Sequence, residues 1–170
     1  MSLTTPTPSP PSIVDFTYKL TDAVDLIKSR NITTQVNTSL ADCFNTTFDL
    51  TTTKFVERMG TIGTLSRDDN LNYATVIITS NTTPRVFLGL GQLKWRDPNH
   101  GDKSTVVNLC VNPNHRSGAW GQTILAWLEY IGKQAGVTHL YLQPENTGLK
   151  KYYKGLKYVE STGGLMVKQL

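Results

Sequence analysis

A strand, a long helix and a second strand follow one another in the second half of the chain, and this order constrains the fold more than any other feature. "STVVNLCV" (104–111) is rich in β-branched residues and predicts the first strand. "THLYLQ" (138–143) predicts the second. Because a helix that joins two neighbouring strands makes a parallel crossover, we expect these strands to be parallel. Between them, apolar side chains recur at helical spacing at Trp120, Ile124, Leu128, Ile131 and Ala135.

The remaining segments predict further strands and helices around this unit. Strands are predicted over residues 13–20, 71–79, 85–95, 157–160 and 164–170. Helices are predicted over residues 21–30, 38–48 and 146–156. The three strands before the long helix are joined by short turns, which is typical of an antiparallel meander. We therefore predict an α+β (mixed α/β) fold, with a central mixed, mostly antiparallel sheet of about six to seven strands and about four helices.

Composition and charge exclude several classes of protein. Residues 1–12 are mainly proline, threonine and serine and predict a disordered tail, which leaves residues 13–170 as a single domain. We expect no signal peptide and no membrane span. Cys43 and Cys110 lie far apart in the sequence and are predicted to be buried free thiols, which favours a cytoplasmic protein. The net charge of +4 is scattered along the chain, so we expect neither a nucleic-acid nor a membrane partner.

The loop before the long helix consists of small residues and one arginine. In "VNPNHRSGAWGQTIL" (111–125), Gly118 and Gly121 remove side chains from the start of the helix, and Arg116 adds a positive charge. A helix N-terminus carries unpaired N–H groups and about half a positive charge, so this loop predicts a pyrophosphate site. The alternative interpretation is that the glycines only let the helix pack close to the sheet. No P-loop string occurs, and "GLGQLK" (89–94) lacks the third glycine of a dinucleotide-binding turn.

The same loop resembles the acetyl-CoA motif of the GCN5-related N-acetyltransferase (GNAT) superfamily. In that motif a strand ends in Val-x-Pro and a helix opens with Arg/Gln-x-x-Gly-x-Gly/Ala. In "LCVNPNHRSGAWGQTIL", the anchor positions are occupied by Arg116, Ala119 and Gly121. Ala119 stands in place of the first glycine, and we expect Gly118, directly before it, to compensate.

A second segment, "NTGLKKYYKGLKYV", resembles the family's Asn-x-x-Ala-x-x-Phe-Tyr-x-x-x-Gly-Phe sequence. The matching positions are Asn146, Leu149, Tyr152, Tyr153 and Tyr158. Lys157 stands where the family has glycine, and Leu149 where it has alanine. The resemblance covers residues 104–158 and implies a sheet that is splayed between the fourth and fifth strands, with acetyl-CoA bound in that cleft.

The resemblance also implies the cosubstrate site. The pyrophosphate of acetyl-CoA would bind the start of the helix, and the pantetheine arm would pair with the backbone of the strand that ends in "NLCV". The cofactor-binding residues implied are Leu109, Cys110, Val111, Arg116, Ser117, Gly118, Ala119, Trp120, Gly121, Gln122, Asn146 and Tyr153. We expect no metal, because the histidines are widely spaced and the chain has no cysteine pair.

Tyr153 resembles the family's tyrosine that protonates the departing sulfur as a general acid. The alternative interpretation of Tyr153 is a packed aromatic residue. Tyr152 is predicted to be the core residue of the pair, because it shares a helical face with Leu149 and Leu156.

The general base is not evident from the sequence. Glu145 and His100 are weak candidates, because residues in such turns are more often simply solvated. We predict an enzyme that transfers the acetyl group to the primary amine of a small molecule, such as a polyamine, an arylalkylamine or an amino sugar. A protein N-terminus or lysine is the alternative acceptor, and a non-catalytic acyl-CoA-binding module is the alternative of another class. A homodimer is left open.

Overall fold

The computed structural model describes residues 12–44, 73–97, 103–144 and 147–170. The tail predicted over residues 1–12 therefore lies outside the described residues, except for Ser12, which begins the first strand. The end of the helix predicted over residues 38–48 also lies outside them.

The elements follow the predicted order along the chain. The described strands are β1 (Ser12–Thr17), β2 (Tyr73–Ser80), β3 (Phe87–Asp97), β4 (Lys103–Val111), β5 (His139–Leu142), β6 (Val159–Glu160) and β7 (Met166–Gln169). The described helices are α1 (Leu20–Ser29), α2 (Thr33–Phe44), α3 (Trp120–Gln134) and α4 (Thr147–Gly155). Short 3-10 turns cover Pro113–Gly118 and Thr162–Gly164.

Within the described part of the chain, the strands form one seven-stranded sheet in the order β1-β2-β3-β4-β5-β7-β6. β2, β3 and β4 form the predicted antiparallel meander. β4 and β5 are parallel, as the strand–helix–strand order predicts. The other neighbouring pairs are antiparallel, so the mixed, mostly antiparallel sheet is confirmed.

Helices cover both faces of the sheet, because its central strands are apolar on both sides. Along β2, Val76 and Ile78 join the cluster under α3, and Ile77 joins the cluster under α1 and α2. Residues of α3 that are buried on the first face are Ile124, Leu125, Leu128, Ile131 and Gly132. Residues buried on the second face include Ala23, Val24, Ile27, Val36 and Leu40. The core therefore consists of two apolar layers with the sheet between them.

Two glycines in β3 let α3 approach the sheet closely. A Cβ atom at Gly89 or at Gly91 would lie 2.7 Å from a side-chain carbon of Ile124. "GLGQLK" thus lies within a strand and serves helix packing, which agrees with its exclusion as a dinucleotide-binding turn.

Helix α2 begins earlier than the sequence predicts, at Thr33 instead of residue 38. Its first hydrogen bond runs from Val36 N to the carbonyl of Ile32, the residue directly before the helix, at 2.9 Å. Ile32, Val36 and Leu40 then form a continuous buried stripe. Two β-branched threonines at the start of the helix weaken its local helical signal, and burial of this stripe outweighs that weakness.

Candidate active site

Strand β4 contains one extra residue relative to β3, close to the point where it leaves β5. Leu90 is in register with Cys110, but Gln92 is in register with Val107, so β4 gains one residue relative to β3. Asn108 lies at this bulge, and its φ of 55° is in the left-handed region. Bulges of this kind bend a strand and end its regular pairing.

β4 separates from β5 after Thr105, just before the bulge. Among the described residues, the two strands are in register at Thr105 and Tyr141, and β4 then continues to Val111. The backbone of residues 106–111 therefore has an open edge on the side of β5. An extended chain that carries amides can add to such an edge as a further strand.

A line of buried polar side chains crosses the sheet to the bulge. Asn108 Nδ2 donates to Gln92 Oε1 at 2.7 Å, and Gln92 Nε2 donates to Thr75 Oγ1 at 3.0 Å. Asn108 is 4% exposed, yet its Oδ1 accepts no hydrogen bond. A buried acceptor without a donor is costly, so this oxygen is a candidate ligand contact. The sequence analysis did not identify Asn108, because a bulge depends on strand pairing and not on local pattern.

The start of α3 is open to an anion. Thr123 N makes the first hydrogen bond of this helix, to Ala119 O at 3.1 Å. Among the described residues, no side chain caps the N–H groups that precede it. The N–H groups of Trp120, Gly121 and Gln122 are therefore available to an anion at the positive end of the helix dipole.

Gly121 and Gly118 have different roles at this helix start. A Cβ atom at Gly121 would lie 3.5 Å from Val111 Cγ2 and 3.6 Å from Tyr152 Oη, so Gly121 keeps space where β4, α3 and α4 converge. A Cβ atom at Gly118 would overlap the indole nitrogen of Trp120, so the space at Gly118 is filled by the protein itself.

Ala119 itself takes the backbone conformation for which glycine is suited. Its φ is 57°, whereas Gly118 does not have a positive φ, so the expected compensation by Gly118 is wrong. Lys157, at the other position where the family has glycine, likewise has a φ of 78°. Ala119 and Lys157 therefore both adopt the left-handed conformation, although the Cβ atom of each makes this conformation less favourable than it is for glycine.

The guanidinium of Arg116 is bound to α2. Arg116 Nη2 donates to Asp42 Oδ2 at 2.5 Å and to Cys43 Sγ at 3.7 Å. Both side chains of the Arg116–Asp42 pair are about half exposed, so solvent screens it. The sequence predicted a position at the helix start for Arg116 but did not identify Asp42, its partner 74 residues away.

The three strand residues proposed for the pantetheine arm lie on the open part of β4. Leu109 packs beside Gly91 in the layer under α3. Cys110 is buried in the layer under α1 and α2. Val111 lies beside Gly121. Their side chains alternate between the two faces, while their backbone follows the cleft.

The orientation of the two adjacent tyrosines differs from the prediction. Tyr152, predicted to be the core residue, is 41% exposed, and Tyr153 is 7% exposed within the core cluster. The Tyr153 ring packs edge-on against Tyr152 and Tyr158, with centroids 5.4 Å and 6.1 Å apart. The face of α4 that meets the core thus contains Leu149 and Tyr153, and Leu156, directly after the helix, packs on the same core. Tertiary packing of α4 on the core, and not helical spacing alone, therefore determines which of its faces is buried.

Burial of Tyr158 fixes the segment after α4. Its hydroxyl donates to Glu129 Oε2 at 3.0 Å, and Lys168 Nζ donates to Glu129 Oε1 at 2.7 Å. Burial, with the neighbouring carboxylate, raises the pKa of Tyr158 well above its usual range. Tyr158 therefore stays a neutral donor and anchors the C-terminal end of α4 against α3 and β7.

Other proposed residues lie where the structure gives less information. Glu145, His100 and Asn146 lie outside the described residues, so their roles stay predictions. Ser117 belongs to the 3-10 turn, and Gln122 is an exposed residue in the first turn of α3. Among the described residues, no group of three His, Cys, Asp or Glu side chains could hold a metal ion. None of the described helices is both long and apolar enough to cross a membrane.

Comparison with known proteins agrees with this geometry. The model of the acetyltransferase (GNAT) family matches residues 38–158, which contain the open strand, the loop and α3. The chain therefore belongs to the GNAT family. It is an acetyl-CoA-dependent N-acetyltransferase, and the uncapped start of α3 together with the open edge of β4 fits its cosubstrate.

Solved structures of low sequence identity share the fold. A GNAT-family acetyltransferase from Staphylococcus aureus Mu50 is 13% identical, with a TM-score of 0.61 over 93% of this chain and 99% of that chain. The GNAT domain of S. lividans PAT is 13% identical, with a TM-score of 0.60 over 94% and 90%. The PaiA N-acetyltransferase from Thermoplasma acidophilum, solved in complex with coenzyme A, is 13% identical, with a TM-score of 0.51 over 93% and 99%. None of the curated proteins matches the sequence.

Proposed function

We propose that this chain transfers the acetyl group of acetyl-CoA to the primary amine of a small molecule, such as a polyamine, an arylalkylamine or an amino sugar. The observation that carries the proposal is the unpartnered Oδ1 of Asn108 at the bulge where β4 leaves β5. An amine or ammonium N–H is the kind of donor that this oxygen lacks.

Binding of the cosubstrate would use backbone groups at both ends of the cleft. The N–H groups of residues 120–122 would hold the pyrophosphate, and the edge of residues 109–111 would pair with the pantetheine amides. A strand N–H at this edge would also polarise the thioester carbonyl. Since Arg116 is bound to Asp42, it would have to exchange that carboxylate for a phosphate to contribute.

Proton transfer sets the second requirement. An alkylammonium has a pKa of about 10.4, so only roughly 0.04% is neutral at pH 7, which costs about 4–5 kcal/mol. A general base lowers this cost, and Glu145 and His100 are the candidates for it. Tyr153 is the proposed general acid for the departing thiolate, and its position between Tyr152 and Tyr158 holds its ring in place.

A second buried carboxamide without hydrogen-bond partners supports a polar site for the amine substrate on the face of the sheet that α1 and α2 cover. Asn37 of α2 is 2% exposed, and neither its Oδ1 nor its Nδ2 has a hydrogen-bond partner. Asn108 points to the same face, because it bonds Gln92 there. Two buried carboxamides on one face suit a compact acceptor with several N–H or O–H groups better than a hydrocarbon.

A screen of amines with acetyl-CoA, following release of the free thiol, tests the proposal. The panel contains polyamines, arylalkylamines, amino sugars, a lysine peptide and peptides with free N-termini. Turnover with a small amine at a kcat/KM at least tenfold above every peptide is expected. Preference for a peptide would indicate the alternative, a protein acetyltransferase. Binding of coenzyme A by calorimetry, without turnover on any amine, would favour a non-catalytic acyl-CoA-binding module.

The proposal also includes a cytoplasmic location and a single catalytic domain. Cys43 and Cys110 are free thiols, which supports a reducing compartment such as the cytoplasm. We treat residues 13–170 as one catalytic domain, with a small-molecule amine as its partner and neither nucleic acid nor membrane. Limited proteolysis that leaves residues 13–170 intact and active would support that boundary.

A further inference from the structure

We propose that Cys43 and Cys110 form a dithiol site beside the cofactor cleft, which reacts with small-molecule disulfides and closes into an internal disulfide. The sequence separates the two cysteines widely, and the packing of α2 on the end of β4 brings them together. Both are free cysteines in this structure. Nothing in the acetyl-transfer chemistry described above uses the sulfur of either residue.

The two sulfurs converge on one backbone carbonyl. Cys43 Sγ lies 3.7 Å from Val111 O, and Cys110 Sγ lies 4.0 Å from the same oxygen. Both side chains therefore contact the end of β4 at the same backbone oxygen. Cys110 Sγ lies 3.2 Å from Ser39 O, which holds its side chain against α2. Because both sulfurs lie within 4.0 Å of one oxygen atom, the proposal requires only a local movement of the side chains to join them.

The two thiols differ in access to solvent. Cys43 is half-buried, whereas Cys110 is 1% exposed. Cys43 can therefore meet a small molecule, while Cys110 is reachable only by its neighbour. This asymmetry is what separates an attacking thiol from a resolving one.

Charged groups around Cys43 favour its thiolate. Arg116 Nη2 lies 3.7 Å from Cys43 Sγ and also binds Asp42. The hydrogen bond from Cys110 and the Arg116 charge outweigh desolvation and lower the pKa of Cys43 to about 7. The hydrogen bond to Cys43, together with burial, raises the pKa of Cys110 well above its usual range, so Cys110 remains the protonated member. Arg116, Asp42 and Cys110 are the titratable or charged groups that the described elements bring to Cys43.

The reaction proceeds in two exchanges. The Cys43 thiolate attacks one sulfur of oxidised glutathione, which breaks that disulfide, forms a Cys43–glutathione mixed disulfide and releases one glutathione thiolate. Cys110 then loses its proton to solvent and attacks the Cys43 sulfur, which forms the Cys43–Cys110 bond and releases the second glutathione. The protein loses two hydrogen atoms overall, and one glutathione disulfide becomes two thiols.

The experiment treats the reduced full-length chain with oxidised glutathione and follows the intact mass. The wild type is expected to lose two hydrogens, with little persistent adduct. Cys110→Ala is expected to stop at one glutathione on the protein, and Cys43→Ser is expected to react at least about tenfold more slowly. A melting curve of each variant verifies that the thiols are probed in the folded state. Since neither acetyl-CoA nor an amine is present, the outcome is independent of the proposed acetyl transfer.

The pH dependence of the reaction rate tests whether neighbouring groups stabilise the Cys43 thiolate or whether Cys43 reacts as an ordinary thiol. The wild-type rate is expected to rise with pH and to level off above about 7, and Arg116→Gln is expected to move this midpoint upward. Arg30→Gln is the matched control, because Arg30 pairs with Asp15 at 3.3 Å elsewhere in the structure. The proposal is overturned if the wild type accumulates a stable adduct, if Cys43→Ser reacts as fast as the wild type, or if Arg116→Gln leaves the midpoint unchanged.

Discussion

The hydroxyl oxygen of Tyr152 lies 3.6 Å from the point where a Cβ atom would stand at Gly121. Helix α4 and the start of helix α3 thus meet across a space that only a missing side chain keeps open. Val111, at the end of β4, forms the third side of this space. Three separate elements therefore converge on the N–H groups that we assign to the cofactor pyrophosphate.

Gly121→Ala is expected to weaken acetyl-CoA binding without loss of stability. The new Cβ atom makes ordinary contacts of 3.5–3.6 Å, so the fold accepts it, and alanine favours a helix by up to about 1 kcal/mol over glycine. The Cβ atom nevertheless occupies space through which a phosphate would reach the backbone N–H groups. KM for acetyl-CoA should therefore rise about tenfold, which corresponds to ~1.4 kcal/mol. Gly155→Ala is the control, since a Cβ atom there has nothing within 4 Å. An unchanged KM in Gly121→Ala would place the pyrophosphate elsewhere.

Ala119→Gly and Lys157→Gly are each expected to stabilise the protein by about 0.5–1 kcal/mol, because glycine relieves a left-handed conformation. Their φ angles are 57° and 78°. Thermal or urea unfolding measures the gain. Ala135→Gly is the control, because its φ of −86° needs no glycine and no stabilisation should follow. A loss of stability in both variants would contradict the left-handed assignment.

Tyr153→Phe is expected to lower kcat about 100-fold while coenzyme A binding stays within about twofold, because a general acid acts on the leaving thiolate and not on the bound cofactor. Tyr152→Phe removes the hydroxyl of the exposed neighbour and is expected to change KM for acetyl-CoA more than kcat. Steady-state kinetics and calorimetry on both variants separate the roles. If Tyr152→Phe abolishes turnover and Tyr153→Phe does not, the acid is the exposed tyrosine, and Tyr153 is a packed aromatic residue.

Asn108→Gly is expected to raise KM for the amine about tenfold, with a smaller effect on KM for acetyl-CoA. Glycine keeps the left-handed backbone at φ 55° while removing the carboxamide that we assign to the acceptor. Loss of the bond to Gln92 should also cost about 1–3 kcal/mol of stability.

Thr75→Val is the matched control for Asn108→Gly. It breaks the far end of the same line of hydrogen bonds, where Gln92 Nε2 donates to Thr75 Oγ1. A similar loss of stability with an unchanged KM for the amine is expected. Equal effects of the two variants on that KM would mean that Asn108 acts only through the packing of the sheet.

Much of the fold followed from local pattern. Apolar spacing from Trp120 to Ile131 defined α3, and the strands on either side of it predicted the one parallel pair. The residues that precede α3 also predicted the loop that we propose binds acetyl-CoA. Element boundaries followed less closely from local pattern. Helix α2 begins at Thr33, because the buried stripe of Ile32, Val36 and Leu40 starts before residue 38.

The sequence by itself determined the kinds of element and their order, and it predicted an anion site at one helix start, because periodicity, turn residues and backbone freedom act over a few neighbouring positions. Tertiary structure alone decided that Tyr153 faces the core, that Arg116 binds Asp42, that Asn108 forms a bulge with an unpartnered oxygen, and that Cys43 meets Cys110. The physical reason is that these contacts join residues on different elements, so they arise only when α2, β4 and α4 pack against one another.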